Sequence, residues 1–139
     1  PAPARSLPKE LLRYLFMITP NRIEAEMLTG IKIVNDADAE RVAKEISAMG
    51  VQNIIVTLGS KGCLVREGDT SYCVDAFKVE PVDTTAAGDT FNGALCVGLA
   101  EGMNLRQSAG MASKASSVAV TRMGAQSSIP YRKELDLNE

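Results

Sequence analysis

The fold of this chain is decided by one stretch, Val82-Asp83-Thr84-Thr85-Ala86-Ala87-Gly88-Asp89-Thr90-Phe91. A segment predicted to be extended precedes it and apolar residues at i and i+3 or i+4 follow it, so the stretch predicts a junction between a strand and a helix. Ala86, Ala87 and Gly88 leave the backbone almost bare at this junction. Their N–H groups can therefore point at one spot at the positive end of the helix, which predicts an anion hole.

Asp89 follows the anion hole directly, at the start of the predicted helix. A carboxylate at this place is unfavourable if the only task is to bind a charged phosphate. It suits a base that takes a proton from a hydroxyl group attacking a phosphorus atom held in the hole. The alternative is an ordinary helix N-terminal residue, because Asp is favourable both as a cap and near the helix dipole.

Two other segments follow predicted strands. Asn21 and Glu24 stand three residues apart at a helix start, which is the spacing of a capping box. A glycine-rich turn follows the buried strand 53–57; it lacks the P-loop pattern, and a plain hairpin turn is the alternative interpretation. The residues of this turn are Thr57, Leu58, Gly59, Ser60, Lys61 and Gly62.

The rest of the chain alternates between strand and helix patterns. Strands are predicted over 15–19, 53–57, 63–65 and 72–74, with a last extended piece over 77–82. Helices are predicted over 9–14, Asn21–Leu28, Asp36–Met49 with Asp36 as N-cap, Gly88–Glu101 and Leu105–Arg122. The alternation predicts a layered α/β domain with antiparallel hairpin strands at one edge. The Gly88 helix is expected to start at the carboxyl end of the strand that ends near Val82.

Composition excludes several kinds of chemistry. The 139 residues include no histidine, which removes Ser-His-Asp, Cys-His and His-metal sites. The net charge of -2 argues against a polybasic nucleic-acid binder, and no apolar run approaches the ~18 residues that span a bilayer. Three cysteines, Cys63, Cys73 and Cys96, show no paired spacing, so neither a disulfide framework nor a zinc site is indicated and a reducing cytoplasm is the expected location.

One local charge pattern lies near the C-terminus. The segment 102–133 contains basic residues and no acidic one. A solvated helix face is the simpler interpretation, and a nearby anionic ligand is the alternative. The basic residues are Arg106, Lys114, Arg122, Arg132 and Lys133.

Taken together and in this order, these segments resemble the ribokinase family of sugar kinases, the PfkB-type carbohydrate kinases. The resemblance covers essentially the whole chain. Within the matching segment Asp83 to Gly93, the run Asp83–Phe91 is highly specific for the family. Many relatives carry Gly where Ala86 stands, a change that preserves the backbone donors. The other matching segments are Pro1-Ala2-Pro3-Ala4-Arg5, Thr19-Pro20-Asn21 with Glu24, Thr57 to Gly62, and Gly124-Ala125-Gln126-Ser127-Ser128-Ile129-Pro130.

The resemblance implies a role for individual residues. Asp89 is the expected base, and the N–H groups of Ala86, Ala87 and Gly88 stabilise the transferring phosphoryl group. The expected contacts of ATP are Asn21, Thr57, Leu58, Gly59, Ser60, Lys61, Gly62, Gly88, Asp89 and Ser113. Ser113 stands where relatives often place Asn or His near the adenine. Glu24 is expected to organise Mg²⁺ through water. The expected ligands of a K⁺ ion are Asp83, Thr85, Ser128 and the backbone carbonyls of Ala119, Arg122 and Gly124.

The resemblance also implies that this chain is one part of a longer enzyme. Residues 1–139 match, as a single domain, the C-terminal ATP-binding and catalytic part of the α/β/α ribokinase-like fold, a Rossmann-like sheet with flanking helices. Nothing matches the sugar-binding half or its lid, through which the parent enzyme is expected to form a homodimer, so the chain alone is expected to have little or no activity.

The implied reaction is the ATP-dependent phosphorylation of a sugar hydroxyl. D-ribose is the expected sugar and D-ribose 5-phosphate the product, because the Pro1–Arg5 opening and Gly124-Ala125-Gln126 favour the ribose-specific members. The alternatives are a non-catalytic nucleotide-binding half-protein and another sugar or nucleoside kinase of the same family.

Overall fold

The computed structural model describes residues 7–135, with nothing described for the side chain of Lys9. The matching segment Pro1–Arg5 therefore lies outside the described residues. The chain divides into two compact units after Cys73, and each is described by itself. That residues 1–139 form one domain stays a prediction.

The first unit contains a four-stranded sheet with the strand order β1-β2-β3-β4. The strands are β1 (Met17–Ile18), β2 (Asn53–Thr57), β3 (Cys63–Glu67) and β4 (Thr70–Val74). β1 and β2 run parallel, with Ile18 opposite Ile54. β2 and β3 run antiparallel, with Ile55 opposite Val65. The sheet is therefore mixed, as the alternation of patterns predicted.

Three helices accompany this sheet, α1 (Lys9–Leu12), α2 (Arg22–Thr29) and α3 (Asp36–Ala48). α3 packs on β2 and β3, and its Val42 and Ile46 share a buried core with Ile54 and Val56 of β2. The apolar face of this helix thus covers the sheet.

The N-cap of α3 is Asn35, so the prediction of Asp36 as the cap is wrong by one residue. The Asn35 side chain accepts from the Asp38 N–H at 3.0 Å, and the Asp38 carboxylate accepts from the Asn35 N–H at 3.3 Å. This reciprocal pair satisfies two backbone donors at once, whereas a cap at Asp36 would lack a carboxylate three residues later.

The second unit contains α4 (Ala87–Ala100) and α5 (Leu105–Val120), which pack on each other. Gly98 of α4 lies at the closest approach, where a Cβ atom would stand 3.1 Å from the Ser108 Cα atom of α5. Shorter 3₁₀ turns lie at Gly59–Lys61 in the first unit and at Gln126–Ser128 and Arg132–Glu134 in the second.

The predicted strand ending near Val82 is wrong, because residues 77–82 form no strand in the described chain. A strand requires a ladder of hydrogen bonds to a neighbour. Here the N–H groups of Val82 and Asp83 both donate to the carbonyl of Val120 at the end of α5, at 2.7 and 3.1 Å. The loop before α4 is therefore fastened to α5 rather than to a sheet.

No helix within residues 7–135 is long and apolar enough to cross a membrane.

Candidate active site

The predicted site residues fall into two groups, one in each compact unit. The first group consists of Asn21, Glu24 and the turn Thr57–Gly62. The second lies around the start of α4 and the end of α5. In the first unit the parallel pairing with β2 continues beyond the end of β1, since the Thr57 N–H donates to the Pro20 carbonyl at 3.0 Å and Asn21 forms a bridge with Thr57. The first group therefore gathers at the carboxyl ends of two neighbouring parallel strands, where open α/β sheets bind ligands.

Asn21 and Glu24 form the predicted capping box of α2. The Asn21 side chain accepts from the Glu24 N–H, and the Glu24 Oε2 atom accepts from the Asn21 N–H, both at 2.9 Å. A carboxylate offers further acceptor positions beyond one such bond, so Glu24 can hold its cap and still bind a water of a hydrated Mg²⁺ ion. In the part of the chain that the structure describes, no three Cys, Asp or Glu side chains gather to hold a metal directly.

The turn between β2 and β3 is held by its own backbone. The Leu58 N–H donates to the Gly62 carbonyl at 2.8 Å, and Gly59 and Gly62 adopt positive φ values of 63° and 86°. Gly59, Ser60 and Lys61 are exposed, and a Cβ atom on Gly59 would meet nothing within 4 Å. The turn thus offers a bare backbone and one lysine to a ligand.

The N-terminus of α4 differs from those of the other long helices. α2, α3 and α5 each begin with an Asn in a capping box, whereas the N-cap of α4 is Ala86 and makes no side-chain cap. Among the described residues, the N–H groups of Ala86, Gly88 and Asp89 have no acceptor, while the Ala87 N–H donates to the Thr84 carbonyl at 3.2 Å. Three backbone donors at the positive end of the helix are available to an anion.

This pattern differs in one member from the predicted hole. The sequence indicated Ala86, Ala87 and Gly88, but the turn from Thr84 to Ala87 uses the Ala87 N–H. The Asp89 N–H stands free instead, and sequence reasoning missed it because the turn bond cannot be seen from residue types. Ala86 itself has φ 60° and ψ 12°, the one left-handed non-glycine residue in the described part of the chain.

Asp89 is exposed at the third residue of α4, beside these free donors. The next residue, Thr90, is buried at 4% exposure, and its hydroxyl has no hydrogen-bond partner among the described residues. The carboxylate is thus free to meet a substrate while the following side chain points into the protein.

Asp83 ties the loop before α4 to the segment after α5. Its Oδ1 atom accepts from the Thr85 N–H and its Oδ2 atom from the Gly124 N–H, both at 2.9 Å. The Thr85 hydroxyl, and then the amides of Thr85 and Gly124, hold the pKa of the Asp83 carboxyl below its ordinary value. Gly124 has φ 94°, and a Cβ atom there would lie 2.6 Å from the Ser127 hydroxyl, so only glycine fits.

The other predicted K⁺ ligands lie close by in the chain. The Ala119 carbonyl accepts from the Arg122 N–H at 3.0 Å, and Ser128 is fully buried with its hydroxyl donating to the Ala125 carbonyl at 2.7 Å. The structure links Asp83, Thr85 and Gly124 directly through hydrogen bonds. Carboxylate, hydroxyl and carbonyl oxygens are the hard donors that suit such a cation.

Ser113 is buried in α5, and its hydroxyl donates to the Asp75 carbonyl at 3.1 Å. That bond serves the packing of the unit. Contact between the Ser113 hydroxyl and an adenine stays a prediction.

Two of the five basic residues near the C-terminus are paired with carboxylates that flank the acid-free segment. Arg122 bonds Glu134 at 2.6 Å, and Arg132 bonds Glu101 at 3.0 Å. The Arg122 guanidinium lowers the pKa of Glu134, with help from the Tyr131 amide. No disulfide joins the three cysteines in the described part of the chain, and burial raises the pKa of the Cys63 thiol to about 12.

The mixed sheet with its helices, and the bare helix N-terminus beside an aspartate, define an α/β protein with a candidate anion-binding site. The chain belongs to the pfkB family of carbohydrate kinases, whose sequence model matches residues 1–132. This confirms the family that the sequence motifs indicated.

Individual relatives agree with this assignment. The chain is 41% identical over 134 residues to the ribokinase of Haemophilus influenzae, covering 96% of this chain and 44% of that protein. It is similar to a crystal structure of Thermotoga maritima ribokinase, with a TM-score of 0.89 and 42% identity, over 98% of this chain and 46% of that one. It also matches a structure of Arabidopsis thaliana ribokinase complexed with ribose and ATP, with a TM-score of 0.89, 32% identity and 94% and 43% coverage. The ribokinase-like α/β fold is thereby confirmed, and the chain spans less than half the length of these relatives.

Proposed function

We propose that this chain is the ATP-binding and catalytic part of a kinase that phosphorylates D-ribose to D-ribose 5-phosphate. The observation that carries the proposal is the start of α4, where uncapped backbone donors stand beside an exposed aspartate. The similarity to a ribokinase structure that holds ribose and ATP supports the choice of substrates.

Asp89 has the central chemical role in this proposal. Its carboxylate accepts the proton of a sugar hydroxyl as the hydroxyl oxygen forms a bond to the γ-phosphorus. The bond between that phosphorus and the bridging oxygen breaks, and ADP leaves with the electron pair. A base at the helix start is well placed for this transfer because the phosphoryl group is held by the adjacent N–H groups.

The anion hole acts on the group that is transferred. The free N–H groups of Ala86, Gly88 and Asp89 donate to phosphoryl oxygens, and they are already oriented by the helix, so little reorganisation is needed as negative charge develops. Mg²⁺, when bound, neutralises charge on the phosphate oxygens. Glu24 is the proposed residue that holds its water shell.

The first group of residues is the proposed contact for the nucleotide. Asn21 and the Thr57–Gly62 turn are adjacent at the ends of β1 and β2, and the exposed backbone of Gly59 lets a flat ligand approach closely. Ser113 is retained as a proposed neighbour of the adenine.

ATP–Mg²⁺ binding tests this assignment, with a matched control for each variant. Asn21→Ala and Asn35→Ala remove the cap of one helix each, so each is expected to cost about 1 kcal/mol of stability. Gly59→Val and Gly68→Val each place a branched side chain at positive φ, with φ values of 63° and 57°. Isothermal titration calorimetry is expected to show weaker ATP binding for Asn21→Ala and Gly59→Val only. Equal binding by the wild type and all four variants contradicts the assignment.

A K⁺ ion is proposed at Asp83, Thr85 and Ser128 with the carbonyls of Ala119, Arg122 and Gly124. Such an ion would order the loop that carries the anion-hole donors. We therefore expect K⁺ to raise the rate of ribose phosphorylation at fixed Mg²⁺, in a protein that joins this chain to the sugar-binding part of its relatives. A rate that does not respond to K⁺ against a Na⁺ or choline background would reject the cation site.

The proposed enzyme acts in the cytoplasm and forms a homodimer through the lid of its sugar-binding part. No nucleic acid or membrane takes part in this proposal.

A further inference from the structure

One serine of α5 donates a hydrogen bond to the first turn of α4, whose N-terminus carries the proposed anion hole. The Ser116 hydroxyl donates to the carbonyl oxygen of Ala87 at 3.1 Å. Ser116 lies 29 residues from Ala87 in sequence, so this bond joins two helices of the second unit. None of the sequence motifs includes Ser116.

The bond acts on a donor of the hole because of the geometry of the peptide unit. The Ala87 carbonyl and the Gly88 N–H belong to the same planar group. A hydrogen bond to the carbonyl oxygen therefore adds to the helix in restraining the direction in which the Gly88 N–H points. It also polarises the peptide, which makes that N–H a stronger donor.

We propose that Ser116 is a positioning residue for phosphoryl binding, acting through the Ala87–Gly88 peptide. This inference rests on the proposed function, because the Gly88 N–H matters only if the hole binds a phosphoryl group. Ser116 touches neither the sugar nor ATP in this account. Its hydroxyl holds one donor of the hole in the orientation that the phosphate oxygens require.

The neighbouring serines of α5 provide a control on the same helix. The Ser117 hydroxyl donates to the Lys114 carbonyl at 2.7 Å, a bond within α5 itself. Removing the Ser117 hydroxyl changes the helix composition in the same way as removing the Ser116 hydroxyl, but leaves the Ala87 carbonyl untouched.

The test measures how tightly the 139-residue chain binds the non-hydrolysable β,γ-imido analogue of ATP with Mg²⁺. Binding of AMP, which has no β- or γ-phosphate, is measured in parallel as the control ligand. Ser116→Ala is expected to weaken analogue binding roughly threefold to tenfold, the loss that follows one neutral hydrogen bond, and to leave AMP binding unchanged. Ser116→Thr keeps the hydroxyl and is expected to restore binding, and Ser117→Ala is expected to match the wild type. In the ligand-free chain, the amide proton resonance of Gly88 is expected to move upfield in Ser116→Ala and to stay in place in Ser117→Ala.

The outcomes separate this inference from the proposed function. A wild-type chain that binds neither nucleotide overturns both. The positioning role alone is overturned if the wild type and Ser116→Ala bind the analogue equally well and the Gly88 resonance does not move. Should Ser116→Ala not fold, Ser116→Cys replaces it, because a thiol is a weak donor of similar size. This variant is expected to show the same loss of affinity for the analogue. If it binds the analogue as tightly as the wild type does, the inference is likewise overturned.

Discussion

At the level of single residues, the left-handed backbone of Ala86 shapes the start of α4, where the anion hole is proposed. Its φ of 60° turns the chain sharply into α4, and successive N–H groups in such a turn form a concave site for an anion. An L-residue with a Cβ atom pays for this conformation, by about 1 to 2 kcal/mol. The strain is therefore located at the residue that opens the candidate site, as strained residues at functional sites often are.

Substitution by glycine tests this strain. Ala86→Gly is expected to leave stability unchanged or raise it by up to about 1 kcal/mol, because relief of the strain offsets the extra flexibility of glycine in the unfolded chain. Ala87→Gly, at the first residue of α4 and without positive φ, has no such strain to relieve and is expected to lower stability by up to about 0.5 to 1 kcal/mol. Urea unfolding of both variants gives the comparison. Equal destabilisation by the two changes would show that Ala86 is not strained.

At the level of elements, the second unit depends on the close contact between α4 and α5. Gly98 is buried, and an added Cβ atom would stand 3.0 Å from the Ser108 hydroxyl and 3.1 Å from the Met111 methyl group. The Ser116 bond to Ala87 crosses the same pair of helices. Any change in their separation therefore also reaches the anion hole.

Two alanine substitutions in α4 are expected to act in opposite directions. Gly98→Ala forces α5 to move and is expected to destabilise the protein by about 1 kcal/mol or more, since overpacking outweighs the gain in helix propensity. Gly93→Ala meets nothing within 4 Å, so it is expected to gain up to about 1 kcal/mol. Thermal unfolding followed by circular dichroism distinguishes them. A stabilising Gly98→Ala would mean that the two helices are not in close contact.

Sequence patterns predicted elements well where local signals agreed. The strand Asn53–Thr57 has its predicted bounds. The strand over 77–82 failed because strand formation depends on a neighbour that residue types do not specify. The cap of α3 moved to Asn35 because the reciprocal bond with Asp38 decided between two adjacent good caps.

At the level of the whole molecule, the sequence predicted the family, which the match over residues 1–132 confirms, while the roles of the site residues stay predictions. The residue types indicated a candidate anion hole but not the hydrogen bonds around it. The structure shows that the Ala87 N–H donates to the Thr84 carbonyl and that the Ser116 hydroxyl donates to the Ala87 carbonyl. A serine on a small apolar helix face carried no sequence signal of its own. Long-range contacts of this kind depend on how two helices pack, which local patterns do not determine.

The central claim is that Asp89 accepts a proton during phosphoryl transfer. Its direct test uses a protein that joins this chain to the sugar-binding part of its relatives. The rate of ribose phosphorylation is compared between the protein that carries Asp89 and its Asp89→Asn variant. The 139-residue chain alone serves as a control and is expected to show little or no turnover, because the acceptor hydroxyl is not held near Asp89 and positioning supplies much of the catalysis.

Asp89→Asn is expected to leave ATP affinity nearly unchanged, because asparagine is nearly isosteric and the backbone donors remain. It is expected to lower kcat by roughly 10² to 10⁴, the loss usual for a positioned acid–base group. A kcat that stays within about twofold of the wild-type value would contradict the account. Such a change corresponds to well under 1.4 kcal/mol in the activation free energy, since 1.4 kcal/mol represents roughly tenfold. Asp89 would then be only a residue of the helix N-terminus.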